Sequence, residues 1–360
     1  MSSNSSDQSS ENHSGIVKSN FICVLSILLF AMGFPAAEYL LDDWDVVSVI
    51  TARNVFSFIL IFLIWLSIEG VQKVKSAQWL KGTLIGVAGF GIGAFLILYL
   101  QSLTSPVIAA LAVATMPVFA VSLEMLLDGR KMTIWFFCGV ILVLWGGYIA
   151  SGASLSQSNI GFAILIGFLG VALFAWGSRA TVKSLPGMTN LGQVSVTSLG
   201  MAVLSIALYI ICTLFMDLTN SVTSITLKHL GLILIYAWLG LGISQILWIK
   251  AVSQLGIGIA SFHLNAVPFY VMLMLFLLAI SFKVNLIASL RSEMVFIFSD
   301  LVVPSNISSI IFCGSSFLGL SSVIITLSAY LVAIFRITGL FSLSLSPPQP
   351  KTKEILLTGN

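Results

Sequence analysis

Four side chains are charged or strongly hydrogen-bonding yet lie inside long apolar runs: Glu38, Arg53, His263 and Asn265. A charge at mid-helix in a bilayer costs about 2.5–3.5 kcal/mol on insertion scales, so each asks for a partner or a water-filled cavity. Arg53, in VITARNVFSF, lies seven residues into its run, roughly 10 Å along a helix. It can attract a substrate carboxylate or phosphate, join a structural ion pair, or snorkel to the interface. Glu38 follows Pro35 by three residues, and that proline frees a backbone carbonyl or kinks the helix. The carboxylate can bind an amino group, pair with Arg53, carry a coupling proton, or simply begin the acidic stretch Asp42, Asp43, Asp45.

His263 can titrate near neutral pH and serve a proton-linked step, or it can hydrogen-bond a neighbouring backbone carbonyl. Asn265 is two positions on, so the two side chains point in different directions and one of them is expected to face a cavity. Asn54, Gln101 and Gln245 offer neutral donors and acceptors. Trp176 and Tyr99 can wall a binding site. Aromatics at helix ends are commonly interfacial anchors, however, and Tyr99, Trp44, Trp79, Trp248 and Trp176 all fit that description. For Glu124 and Asp128, near the end of a run, solvation is the simpler account.

No set of these residues reads as catalytic or metal-binding. The histidines are His13, His229 and His263, no acidic cluster lies within an apolar run, and Cys23, Cys138, Cys212 and Cys313 are unpaired in spacing. No GxxxxGK[ST] loop is present, so direct ATP drive and a nucleotide cofactor are not expected.

The elements that must position these side chains are membrane helices. The 360 residues are 58% hydrophobic and only 8% charged, against about 25% charged in a soluble domain. Apolar runs at 20–41, 46–68, 79–98, 104–126, 133–151, 158–178, 189–214, 229–249 and 254–280 give nine spans, and 310–335 gives a tenth. The segment 1–19, polar and Ser/Asn-rich, reads as a disordered tail without a signal-peptide pattern. With that tail in the cytoplasm, Lys18, Lys73, Lys75, Arg130, Arg179 and Arg336 fall on the inner side, while Lys228, Lys283 and Arg291 fall outside. This bias places both termini inside. The net charge of +3 is scattered over loops, which argues against nucleic acid as a partner.

The chain also repeats. Residues 98–124 read LYLQSLTSPVIAALAVATMPVFAVSLE, and residues 247–274 read LWIKAVSQLGIGIASFHLNAVPFYVMLM. An aromatic-closed helix, a tight turn, a small-residue helix and a proline recur, with Pro117 and Pro268 as the anchoring kink positions. Five spans separate the copies, so the repeated unit is odd and the halves are inverted with respect to each other. Inverted repeats suit two bundles that rock about a site at their interface. At the positions of His263 and Asn265 the first copy has Ala112 and Ala114, so the shared scaffold does not require the polar groups. Gly82, Gly86, Gly89, Gly91 and Gly93 crowd the third span and read as helix-packing surface.

A ten-span chain with FAMGFPAAEYL in a short first helix, an arginine in VITARNVFSF and paired fourth and ninth spans around Pro117 and Pro268 resembles the EamA family of the drug/metabolite transporter superfamily over roughly residues 20–280. The resemblance implies a secondary inner-membrane transporter of small organic metabolites, often amino acids and related compounds, with a central cavity between two five-helix halves. The expected organisation is a first repeat at 20–151, a second at 158–282, a divergent segment at 283–336 holding the tenth span, and a cytoplasmic tail at 337–360. Past about Phe282 the acidic residue, glycine and Gly-rich span of the first half have no counterpart, which fits either divergence or a changed reading frame. The expected partners are a small-molecule substrate and the lipid bilayer, with proton coupling an option. The alternative from another class is an intramembrane enzyme acting on a lipid or isoprenoid.

Overall fold

The computed structural model describes residues 4–129, 158–215, 222 and 225–278. Among them, eight helices are long and apolar enough to cross a membrane: α1 (Gly15–Leu41), α2 (Val46–Lys75), α3 (Trp79–Leu103), α4 (Pro106–Asp128), α5 (Gly161–Ser184), α6 (Asn190–Phe215), α7 (Leu227–Leu255) and α8 (Ile257–Leu278). They correspond to eight of the expected spans, whereas those at 133–151 and 310–335 lie outside the described residues. The described fold is all-helical, with one isolated antiparallel bridge between Trp44 and Val222. The helix that contains α1 starts at Asn4, upstream of the apolar run. Once an apolar segment has nucleated a helix, each further residue adds one hydrogen bond for one residue fixed, so the helical path extends easily into polar sequence.

Local sequence explains the helix starts and the irregular turns. Asp45 caps α2 by accepting the backbone N–H groups of Val47 (2.8 Å) and Ser48 (3.0 Å). Ser105 caps α4, with Pro106 in the first turn where no N–H is needed. Pro117 cannot donate to the preceding turn, and α4 breaks at Thr115, whose hydroxyl donates to the Ala112 carbonyl at 2.6 Å. Before Pro268, α8 tightens into a 3₁₀ turn over His263–Ala266. Pro35 is accommodated within α1. Two helices instead widen into π-helical segments, Gly86–Gly91 in α3 and Ile235–Ile243 in α7.

The glycines of α3 carry the packing, as expected. A Cβ on Gly86 would sit 2.0 Å from the Thr197 carbonyl oxygen of α6, and one on Gly89 would sit 2.5 Å from Gly177 Cα of α5. Gly93 faces the Gly170 carbonyl of α5 in the same way, at 2.7 Å. A matching approach joins α7 to α1, where a Cβ on Gly240 would be 3.0 Å from Gly33 Cα. Such contacts supply dispersion energy that hydrophobicity cannot provide between helices in lipid. The resulting neighbours are α1 with α7, α3 with α5, α2 with α6 and α4 with α8, while α7 also touches α2 and α6 also touches α3.

Candidate functional site

Two abutting cavities lie inside this bundle. The first is lined by Phe30, Gly33 and Phe34 of α1, Arg53 of α2, Ala94, Ile97, Leu98 and Gln101 of α3, Phe174 of α5, and Tyr236 and Gly240 of α7. The second is lined by Ser26, Ile27 and Phe30, with Ile97, Val113 and Met116, Val171 and Phe174, Gln245 and Trp248, and Leu264 of α8. Phe30, Ile97 and Phe174 line both, where the two cavities meet. The two phenyl rings there stand 6.5 Å apart between centroids.

Arg53 is the charged residue that lines these cavities, and only 4% of it is exposed. Its guanidinium lies over the Tyr236 ring, 4.8 Å from the centroid, a placement in which the negative face of the ring partly offsets the cost of burying a cation. The π segment of α7 brings Tyr236 and Gly240 to the same wall. Gln101 reaches from α3 to α1, its Nε2 donating to the Phe34 carbonyl at 2.9 Å and to Glu38 Oε2 at 3.0 Å. Glu38 is therefore engaged by Gln101, and Arg53 by Tyr236. The two do not form the ion pair that their proximity in sequence allowed.

Gln245 lines the second cavity, whereas Asn54, Trp176, His263 and Asn265 lie off the cavity walls. Asn54, one position from Arg53 and so turned about a quarter of the way round the helix, donates to the Met201 carbonyl of α6 at 3.3 Å. Trp176 packs on a cluster of Trp65, Ile85, Ala180, Leu185 and Val196. His263 is buried, and its Nδ1 has no hydrogen-bond partner. It is Leu264, between His263 and Asn265, that lines the second cavity.

Two readings are corrected. Trp248 is no interfacial anchor: it is 4% exposed, lines the second cavity and donates its indole N–H to Ser178 Oγ at 2.9 Å. Its closeness to Lys250 suggests a helix end, yet the helix continues to Leu255. Glu124 is not solvated. It is 8% exposed, and its Oε1 accepts the Gly258 N–H at 2.8 Å, which ties α4 to the start of α8.

Sequence reasoning passed over Phe30, Phe174, Met116 and Tyr236 as cavity lining. Phe30 and Phe34 are spaced one turn apart and meet edge to face at 5.3 Å, which is the one local signal that marked this wall.

Polar contacts also close the bundle at its two ends. At the α1–α2 loop, Asp43 Oδ2 meets His229 Nε2 at 2.8 Å, and the Trp44 ring lies tilted against the same imidazole at 5.6 Å between centroids. The Thr226 N–H donates to His229 Nδ1, leaving Nε2 as the donor to Asp43. At the opposite end, Ser19 Oγ donates to Gln254 Oε1 at 2.9 Å, near the Glu124–Gly258 contact. Arg179 there grips Asp128 through two hydrogen bonds, of 3.0 and 2.5 Å.

Comparison with known proteins agrees with this architecture. Residues 17–152 match the EamA-like transporter family. No curated protein matches the sequence. One crystal structure of a protein, 14% identical, superposes with a TM-score of 0.57 over 89% of this chain and 99% of its own. At that identity the likeness concerns the fold.

Proposed function

Residues 17–152 being of the EamA-like transporter family, within the drug/metabolite transporter superfamily, we propose that this multi-pass membrane protein is a secondary carrier of small organic metabolites working by alternating access. The observation that carries the reading is the pair of cavities between the expected halves. Helices α1, α2, α3 and α4 line them from one half, and α5, α7 and α8 from the other. A site placed there is exposed to one side or the other as the halves rock.

Helix contacts support an inverted five-span duplication. With the expected span at 133–151 between α4 and α5, the exchange pairs α1 with α5, α2 with α6, α3 with α7 and α4 with α8. Under that exchange the α1–α7 contact becomes α5–α3, and α2–α7 becomes α6–α3, while α2–α6 and α4–α8 map onto themselves; all of these contacts are present. The π segments of α3 and α7 correspond, as do the breaks around Pro117 and Pro268. So do the glycine contacts Gly89–Gly177 and Gly240–Gly33. The basic-residue bias supports an orientation with the Glu124–Gly258 end in the cytoplasm and the Asp43–His229 end outside. The two sets of polar contacts act as gates that open in turn.

Reconstitution into liposomes tests this reading. Preloaded vesicles are offered labelled amino acids and related metabolites, and counterflow is expected for at least one compound class. No flux or binding for any of them, together with turnover of a lipid, would overturn the carrier in favour of an intramembrane enzyme. Proton linkage is a separate question. His263 lies outside both cavity walls, so His263→Ala is expected to leave the pH dependence of flux between about pH 5 and pH 8 unchanged. A flattened profile would return the proton-linked role to His263.

A further inference from the structure

We propose that the two cavities form one bipartite site for an organic monoanion with a flat apolar body and a neutral polar group at its far end. The inference rests on the carrier reading for its place in the molecule and narrows the class of substrate. Its basis is which lining polar groups the protein itself leaves unsatisfied. Ser26 donates to the Ser244 carbonyl, Gln101 donates to Phe34 and Glu38, and Trp248 donates to Ser178. Two groups remain. Arg53 Nε is buried without a hydrogen-bond partner, in a residue 4% exposed, and Gln245 Nε2 is likewise unpartnered in a residue 5% exposed.

A buried unpaired donor costs about 1–3 kcal/mol, and more when it is charged, so each of these groups is poised to bond something that enters the cavity. Arg53 opens into the first cavity and Gln245 into the second. No carboxylate side chain is among the lining residues of either cavity. A single anionic group therefore finds its counter-charge at Arg53, whereas an ammonium group finds none. Tyr236 contributes the electron-rich face that holds the guanidinium in place. Between the two polar ends the walls are Phe30, Phe174 and Ile97, which suit an aromatic or aliphatic body and give no hydrogen bond to a polar one. At the far end an amide, which both donates and accepts, matches a hydroxyl or another neutral group.

The test uses the full chain in detergent and three labelled probes of one shape: 4-hydroxyphenylacetate, its neutral amide 4-hydroxyphenylacetamide, and the amine tyramine. Equilibrium dialysis is expected to show the carboxylate binding at least tenfold more tightly than the amine, with the amide between them. Arg53→Gln is expected to remove the carboxylate's advantage over the amide while leaving amide affinity within about twofold. Gln245→Leu is expected to weaken 4-hydroxyphenylacetate several-fold but not phenylacetate, which lacks the distal hydroxyl. Equal or tighter binding of tyramine to the unaltered protein overturns the proposal, as does failure of all three probes to bind. The charge comparison needs no variant, so it stands even if Arg53→Gln does not fold. Carboxylate binding without flux would sink the carrier reading and leave this site intact. Flux of amines without carboxylate preference would do the reverse.

Discussion

Gly86→Ala is expected to destabilise the folded bundle by about 3 kcal/mol, the upper end of what overpacking a close-packed site costs. The new methyl would lie 2.0 Å from the Thr197 carbonyl oxygen, 2.8 Å from its carbon and 3.0 Å from Gly200 Cα. All three atoms are backbone, so no side-chain rotation relieves the overlap and α3 must move away from α6. That movement also loosens Gly89 against Gly177, because both contacts are on one helix. The reciprocal change Gly200→Ala meets the Thr83 carbonyl oxygen at 2.2 Å and is expected to cost a similar amount. Gly231, where an added methyl would have nothing within 4 Å, provides the control. At that helical position alanine is favoured over glycine by up to about 1 kcal/mol, so Gly231→Ala is expected to be neutral or stabilising. Thermal unfolding of the purified proteins in one detergent measures all three. A Gly86→Ala midpoint equal to that of the unaltered protein would mean that the helices do not approach so closely.

Glu124→Ala is expected to be the next most damaging change, at about 2–3 kcal/mol, because it strands a buried N–H that had a charged acceptor. Gly258 lies in the first turn of α8, where N–H groups have no partner within the helix. Glu124 supplies one from α4 and so fastens the two helices that carry Pro117 and Pro268. Glu124→Gln keeps an acceptor of nearly the same shape and is expected to recover at least half of the loss. If this contact is a gate, Glu124→Ala also raises accessibility of cavity positions from the cytoplasmic side, read by labelling of a cysteine placed at Gln245 or Met116. Stability and labelling both unchanged would leave Glu124 without the role assigned to it.

How far the sequence could be read depended on the kind of information each feature needs. The eight described spans follow from runs of apolar residues, and the irregular turns follow from Pro117, Pro268 and the glycines, because these act on the backbone where they stand. Gly86, Gly89 and Gly93 were recognisable as packing surface for the same reason: without a Cβ they permit close approach. Arg53 was legible as a functional candidate because a charge in an apolar run is costly wherever it points. Its partner was not. Glu38 was a plausible counter-ion, but Gln101 holds it, and the Arg53 guanidinium lies over Tyr236 instead.

The direction each helix face takes was the information missing from the sequence. In a soluble protein, polar residues mark the outward face, whereas in a bilayer the lipid-facing side is as apolar as the core. Ile61 and Leu63 sit two residues apart in one aliphatic run, yet the first is fully buried and the second 54% exposed. For the same reason His263 and Asn265 drew attention as polar residues while Leu264 between them lines the cavity. Trp248, near a charged residue, looked like an anchor until the packing of α7 turned it inward. The sequence by itself determined that the chain is a set of membrane helices, where they break, which of them can approach closely, and that an arginine is held among them. Only the tertiary structure decided which side chains meet, since that depends on helix rotation and on contacts between distant segments, which an apolar pattern leaves unspecified.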